Sequence, residues 1–275
     1  MGAPDRTTTA DPVEHMPTVL GSDMRLAERV ELPRDCYQLW LRDPSRLSAE
    51  TKERVYQALV PVTTRSFGAD MTPYWARRSE EGYLEKLDMF DAICGPDGAL
   101  IGWTSYHMLE FSSPVAYWDS TGMLPNWSRY GLMSKAIDSL FVDLVDVYGD
   151  RRPYICARTE NPVICRMFYA LLGECYPNPR TPPPPEMADA IAGLAEWLGQ
   201  ADIFQRDTFV VKGAYSSLDA LYGERPKSGD PELDDFVYSL VGPHDAVLAT
   251  AGSDRLWQRV TGVGVERRAP EATMA

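Results

Sequence analysis

Gly122-Met123-Leu124-Pro125-Asn126-Trp127-Ser128-Arg129-Tyr130-Gly131-Leu132-Met133-Ser134 joins an apolar, aromatic run to a strongly helical one. Residues 115–124, with Tyr117, Trp118 and Thr121, predict a β-strand that stops at Pro125. Beyond a short polar loop, Leu132, Ala136, Leu140 and Leu144 recur at i,i+4 spacing, with Met133, Ile137 and Phe141 beside them. That spacing predicts an amphipathic helix, which Gly149 stops. The first amides of such a helix have no intrahelical partner and lie at the positive end of its dipole, so the loop is a candidate anion site. Gly131 would let the main chain approach a pyrophosphate closely. On its own the pattern fits a plain strand-to-helix turn equally well.

The flanks extend the pattern. Residues 90–94 and 100–109 read as two strands, and Gly95-Pro96-Asp97-Gly98 between them supplies hairpin turn chemistry. Residues 153–157 form a further strand, which leads through Asn161-Pro162 into a helix ending at Gly173. A strand, a helical crossover and another strand imply a parallel pair inside an otherwise antiparallel, mixed sheet. Upstream, Ser48 caps a helix over 48–60 that Pro61 is expected to close. Downstream come a stiff proline-rich connector over 177–185, helices over 187–198 and 231–240, and strands over 207–215 and 245–250. Residues 1–22 and 262–275 lack periodicity and read as disordered tails. The expected organisation is one domain over 23–261, with the connector and residues 186–261 completing its sheet. There is no internal repeat.

Composition narrows the partners. The chain has 275 residues and a formal charge of 27 − 40 = −13. This acidity disfavours nucleic acid, whose phosphates need clustered Lys and Arg; it would favour an amine-bearing substrate, and solubility alone is the simpler reason for it. The five cysteines are odd in number and have no CxxC spacing, which argues against a disulfide framework or a zinc site. No apolar run approaches the roughly 20 residues of a membrane span. Asp5, Asp11 and Glu14 interrupt any signal-peptide pattern, so a reduced, cytoplasmic protein is expected.

The two strand–loop–helix segments together resemble the acyl-CoA signature of the GNAT N-acyltransferases. In that family an apolar-x-Pro strand end precedes an Arg/Gln-x-x-Gly-x-Gly/Ala loop and a helix. Here Leu124-Pro125 stands at the strand end and Gly131 at the first glycine, while Ser128 and Met133 replace the leading Arg/Gln and the second small residue. Asn161-Pro162-Val163-Ile164-Cys165-Arg166-Met167-Phe168-Tyr169-Ala170-Leu171-Leu172-Gly173 is similar to the family's Asn–helix–Tyr-x-x-x-Gly segment. The resemblance spans residues 90–176.

It implies an α+β fold, a mixed and mostly antiparallel central sheet with helices on both faces, here with an extended C-terminal region. It also implies acyl-CoA, most simply acetyl-CoA, as co-substrate without a metal. Met123 and Leu124 would meet the pantetheine arm as an added strand does. Arg129, Tyr130, Gly131, Leu132, Met133 and Ser134 would hold the pyrophosphate, and Asn161 would touch the pantetheine. Tyr169 would protonate the departing thiolate. For the base, Asp119 is the first candidate, with Glu110 and His107 on the preceding strand next. Tyr74, Trp75, Tyr83, Trp103 and Tyr106 are candidate walls for the acceptor, although aromatics at such spacing are more often core.

The implied activity is N-acylation of a small-molecule amine by direct attack on the thioester. O-acylation of a hydroxyl or hydroxylamine and acyl-CoA binding without turnover are the alternatives. No nucleic acid or membrane partner is expected, and a homodimer is a possible assembly. A Rossmann-type enzyme is disfavoured, since no GxGxxG follows the strand.

Overall fold

The chain is described by a computed structural model over residues 19–149 and 151–262. Its strands are β1 (Glu28–Glu31), β2 (Tyr37–Arg42), β3 (Met89–Cys94), β4 (Leu100–Glu110), β5 (Pro114–Met123), β6 (Tyr154–Thr159), β7 (Phe204–Gln205), β8 (Val210–Val211) and β9 (Ala246–Gly252). The helices are α1 (Ala49–Phe67), α2 (Thr72–Glu80), α3 (Tyr83–Lys86), α4 (Leu132–Tyr148), α5 (Pro162–Leu172), α6 (Pro185–Trp197), α7 (Pro231–Leu240) and α8 (Asp254–Gly262). The strands form one sheet in the order β1-β2-β3-β4-β5-β6-β9-β8-β7. Every adjacent pair is antiparallel except β5 and β6, the two strands joined through α4. The architecture is therefore the mixed α+β one expected of a GNAT-like chain.

Alternation along the strands sorts the core into two faces. Trp118 and Ala157 pack with Ile137 and Leu140 of α4 and Phe168 of α5. Tyr117 and Cys156, one residue away on each strand, pack with Met187, Ile191 and Leu194 of α6. Trp103 packs with Leu59 of α1, Trp75 of α2 and Tyr83 of α3.

One irregularity shapes the centre. Tyr106 opposes Trp118 and Ser105 opposes Ser120, so Asp119 is an extra, bulged residue on β5. A bulge bends its strand and increases the local twist. β5 and β6 pair only from Val115↔Tyr154 to Trp118↔Ala157, and no pair joins them beyond that point. β5 runs on along β4 to Met123, while β6 runs on along β9 to Thr159. The gap between the diverging edges opens a cleft through the sheet.

The sequence reading needs correction in several places. Helix α1 continues through Pro61 to the left-handed cap at Gly68. Proline removes one helical hydrogen bond, but Val55, Tyr56, Leu59, Val62 and Thr63 bury one continuous face that holds both halves. The strand expected over 207–215 shrinks to Val210–Val211, because Phe209 and Gly213 on either side take positive φ angles of 54° and 63°. The expected tails lie largely outside the described residues, but Val19 and Leu20, within them, are buried.

Candidate active site

The cleft, about 1130 Å³, is walled by the end of β5 (Thr121, Gly122, Met123), the start of α4 (Met133, Ser134), one face of α5 and residues 222–228. Gly131 precedes α4 with φ +69°, and a Cβ there would meet nothing within 4 Å. This glycine therefore serves the left-handed turn, with open space around it. Lys135 N donates to the Gly131 carbonyl at 3.1 Å, which closes the first helical turn. The amides of Leu132, Met133 and Ser134 precede that bond, and no side chain caps them.

The free edge of β5 has a definite polarity. Leu124 N donates to Ile101 O of β4 at 2.8 Å. Antiparallel alternation then directs the amides of Met123 and Thr121 to the opposite edge, into the cleft. The Ser66 hydroxyl donates to the Met123 carbonyl at 3.0 Å, tying the last turn of α1 to this strand end.

The candidate cofactor residues divide accordingly. Met123, Met133, Ser134 and Asn161 line the cleft. Leu124 does not: its amide is taken by β4 and its side chain is buried among α1 and α4. Thr121 holds the matching position. Leu132 is buried in the same core and offers only its backbone. The Tyr130 ring is stacked under the Arg34 guanidinium at 3.6 Å, and neither it nor the exposed Arg129 lines the cleft.

The cationic lining comes from elsewhere: Arg166 on α5, and Arg225 and Lys227 on the C-terminal segment, against one acidic residue, Glu224. In a chain of net charge −13 this is a local reversal of sign. Arg166 donates to the Ser228 carbonyl and so latches that segment onto α5. Sequence reading missed the wall because residues 218–229 form no helix or strand and show no periodicity.

Tyr169 departs from its expected role. Its hydroxyl donates to Cys175 O at 3.2 Å and accepts from Asn178 Nδ2 at 3.1 Å, away from the cleft. Val163, Arg166, Met167 and Ala170 form the face of α5 that lines the cleft, and Tyr169 lies off that stripe. The hydroxyl beside Asn161 is that of Tyr222, which accepts from Asn161 Nδ2 at 3.5 Å. Asn161 Oδ1 caps α5 by accepting from Val163 N at 2.9 Å. Burial pushes the Tyr222 phenol well above the ordinary tyrosine range, so it stays protonated at neutral pH.

The base candidates also change. Asp119 is buried and ion-paired with Arg78, and His107 Nε2 lies 3.4 Å from its Oδ2. Burial pushes this carboxyl up, but Arg78, His107 and Arg158 outweigh burial and hold it well below the ordinary range. A carboxylate so strongly held is a poor proton acceptor. His107 is buried with its ring centroid 4.8 Å from that of Trp197, in a small recess it shares with Arg78, Tyr83 and Asp119. Glu110 is excluded: it pairs with Pro114 at the far end of the hairpin and forms a bidentate, exposed ion pair with Arg151.

Of the aromatic candidates, Trp75, Trp103 and Tyr106 are core residues. Tyr83 is buried too and donates to Ser105 Oγ at 2.5 Å. Tyr74 alone lines the inner chamber where β5 and β6 part, with Asp119, Arg158, Thr159 and Tyr215. Phe67, Thr121, Ile164 and Tyr222 line both this chamber and the outer cleft, so the two spaces meet there.

No protein-family profile and no curated sequence relative matches the chain. Among solved structures it is similar to a CoA-bound GNAT family N-acetyltransferase from Escherichia coli, at 14% identity and TM-score 0.30. That match covers 41% of this chain and 61% of the other. A putative acetyltransferase from Deinococcus radiodurans matches at 15% identity and TM-score 0.33, over 59% and 97% of the two chains. The loading GNATL domain of CurA from Lyngbya majuscula matches at 11% identity and TM-score 0.36, over 78% and 97%. The strand order and the parting of β5 from β6 describe the fold independently of these partial overlaps.

Proposed function

We propose that the protein is an acyl-CoA-dependent N-acyltransferase that moves an acyl group, most simply acetyl, onto the amine of a small metabolite. The observation carrying this reading is the parting of β5 and β6 after Trp118 and Ala157, which leaves two strand-edge amides facing a cleft that ends at an uncapped helix N-terminus. An extended pantetheine arm bears amide groups that can pair with Thr121 and Met123 as an added strand would. Its pyrophosphate would then meet the first amides of α4, with Arg166, Arg225 and Lys227 supplying counter-charge.

In this arrangement the thioester reaches the neck where the two spaces meet, beside Thr121 and Tyr222, and the amine approaches from the Asp119 and Arg158 side. Attack by a neutral amine forms the C–N bond and a tetrahedral oxyanion, which a strand-edge amide can stabilise. Collapse breaks the C–S bond, and the Tyr222 hydroxyl, on the wall shared by the outer cleft and the inner chamber, would supply the proton that the CoA thiolate takes. The proton that the amine loses passes through water and restores the Tyr222 phenol. Asp119, held by Arg78, is unsuited to deprotonating a hydroxyl, which favours an amine over an alcohol acceptor.

The test is ligand linkage. Acetyl-CoA at 100 times its dissociation constant should stabilise the folded chain by about 2.7 kcal/mol. A melting temperature that no CoA ester raises would overturn both the enzymatic and the CoA-binding readings. Given binding, release of free CoA over a panel of amines separates turnover from binding alone.

A further inference from the structure

One charged side chain on the wall of the inner chamber lacks an ion-pair partner of its own. Arg78 and Asp119 form one ion pair. Arg158, the first residue of β6 beyond its pairing with β5, is the guanidinium that lines the inner chamber, whereas Arg78 reaches Asp119 from the neighbouring recess. None of the ion pairs among the described residues includes Arg158. Its Nε is buried and has no hydrogen-bond partner. Its guanidinium carbon lies 5.4 Å from the Tyr215 ring centroid, and the Tyr215 hydroxyl donates to the Arg158 carbonyl at 2.9 Å, which fixes the residue at the chamber wall.

Neither neighbouring carboxylate pairs with Arg158. Asp119 is held by Arg78, and Glu160, two residues further on, does not line the chamber. With Asp119 taken up by Arg78, the Arg158 guanidinium feels that carboxylate only at a distance and has no ion-pair partner of its own at the chamber wall. A guanidinium is a rigid fork of donors that matches the two oxygens of a carboxylate, and burial strengthens such a pair. An unpaired one facing a cavity is poised for an anion that arrives with the substrate.

We infer that Arg158 recognises a free carboxylate on the substrate group that enters the inner chamber. The acid group is carried either by the amine acceptor or by the far end of the transferred acyl chain. This inference rests on the acyl-CoA reading above for the placement of the thioester. It makes the substrate an amino acid-like acceptor or a dicarboxylic acyl group, selected against the corresponding neutral compound.

The experiment separates failure of the two readings. Acetyl-CoA should raise the melting temperature of the wild type and of Arg158→Met by similar amounts, since Arg158 lies outside the CoA-lining cleft. No rise in the wild type would remove the acyl-CoA reading itself and this inference with it. With CoA binding established, the Arg158 Nε–H resonance, assigned by its absence from Arg158→Lys, is followed by NMR. Acetate should shift it saturably, and the neutral isostere acetamide should not. Succinyl-CoA binding about tenfold tighter than butyryl-CoA, the lower end for a hydrogen bond to a charged group, with the difference lost in Arg158→Met, places the carboxylate on the acyl group. Equal affinities, with the acetate shift persisting when butyryl-CoA is bound, place it on the acceptor. If no carboxylate moves the resonance and the two esters bind alike in both proteins, the inference is overturned while CoA binding stands.

Discussion

The side-chain amide of Asn161 donates to the Tyr222 hydroxyl at 3.5 Å, joining the first turn of α5 to a residue 61 positions later in the chain. Both residues line the cleft, and Tyr222 also faces the inner chamber. If Tyr222 protonates the leaving thiolate, Tyr222→Phe should lower kcat by about 100-fold, the lower end of a general-acid contribution. The dissociation constant for CoA should stay near the wild-type value. Tyr169→Phe is the matched control, because that hydroxyl is spent on Cys175 and Asn178. Its rate should be unchanged. Steady-state kinetics with CoA affinity measured in parallel decides between the two tyrosines.

Gly223 crosses the end of α1 so closely that a Cβ on it would lie 2.2 Å from the Gly68 carbonyl oxygen. Its amide also donates to Phe67 O at 3.0 Å. The obstacle is backbone at a helix cap, so Gly223→Ala must push residues 222–228 outward. A cost of about 1–3 kcal/mol in folding stability is expected, as for other overpacked sites. Because that segment carries Tyr222, Arg225 and Lys227, acetyl-CoA affinity should fall as well. Denaturant titration and CoA binding on the same variant check both effects.

How much of this was legible in the sequence depends on range. The segments around Gly131 and Asn161 were readable because a strand end, a glycine or N-cap and an amphipathic helix are local signals. β1 and β2 escaped notice for opposite reasons. Glu28–Glu31 is a polar edge strand, and Tyr37–Arg42 is buried on both faces except at its end, so neither alternates. Asp119 reads as a candidate base in the sequence because its partner Arg78 lies 41 residues away, and no spacing rule connects α2 to a bulge in β5. The same blindness hid Arg158, which reads as one polar residue in an apolar strand until the chamber is assembled around it.

Asp91 on β3 offers a test of the fold through pH. Both of its carboxylate oxygens are buried without a hydrogen-bond partner, and Tyr106 and Gln38 are its polar neighbours. Burial pushes this carboxyl well above the ordinary range. The folded state therefore holds a proton that the unfolded chain releases near pH 4. Stability from this group is fully present below that pH and is lost as pH rises toward the folded value. Asp91→Asn removes the titration. The variant should melt at a higher temperature than the wild type at pH 8, and the gap should close toward pH 4. Thermal melts across that range are the measurement.

Asp119 has the opposite sign. Its carboxyl is depressed in the fold, so its contribution is present above the unfolded value near 3.9 and disappears as pH falls through the lower folded value. At neutral pH it is the counter-charge that makes a buried Arg78 tolerable. Asp119→Asn leaves that guanidinium without compensation, and losses on breaking a buried pair run to about 3–5 kcal/mol. Arg78→Met combined with Asp119→Leu removes both charges together and should recover most of the stability, as apolar replacement of whole buried pairs does. A general base would behave differently. Its loss would leave stability near wild type and abolish an inflection in the pH–rate profile. Urea denaturation of the single and double variants, set beside their pH–rate curves, therefore tests whether Asp119 anchors Arg78 or takes the proton. Recovery of stability in the double variant, with the wild-type pH–rate inflection kept in Asp119→Asn, is the expected result.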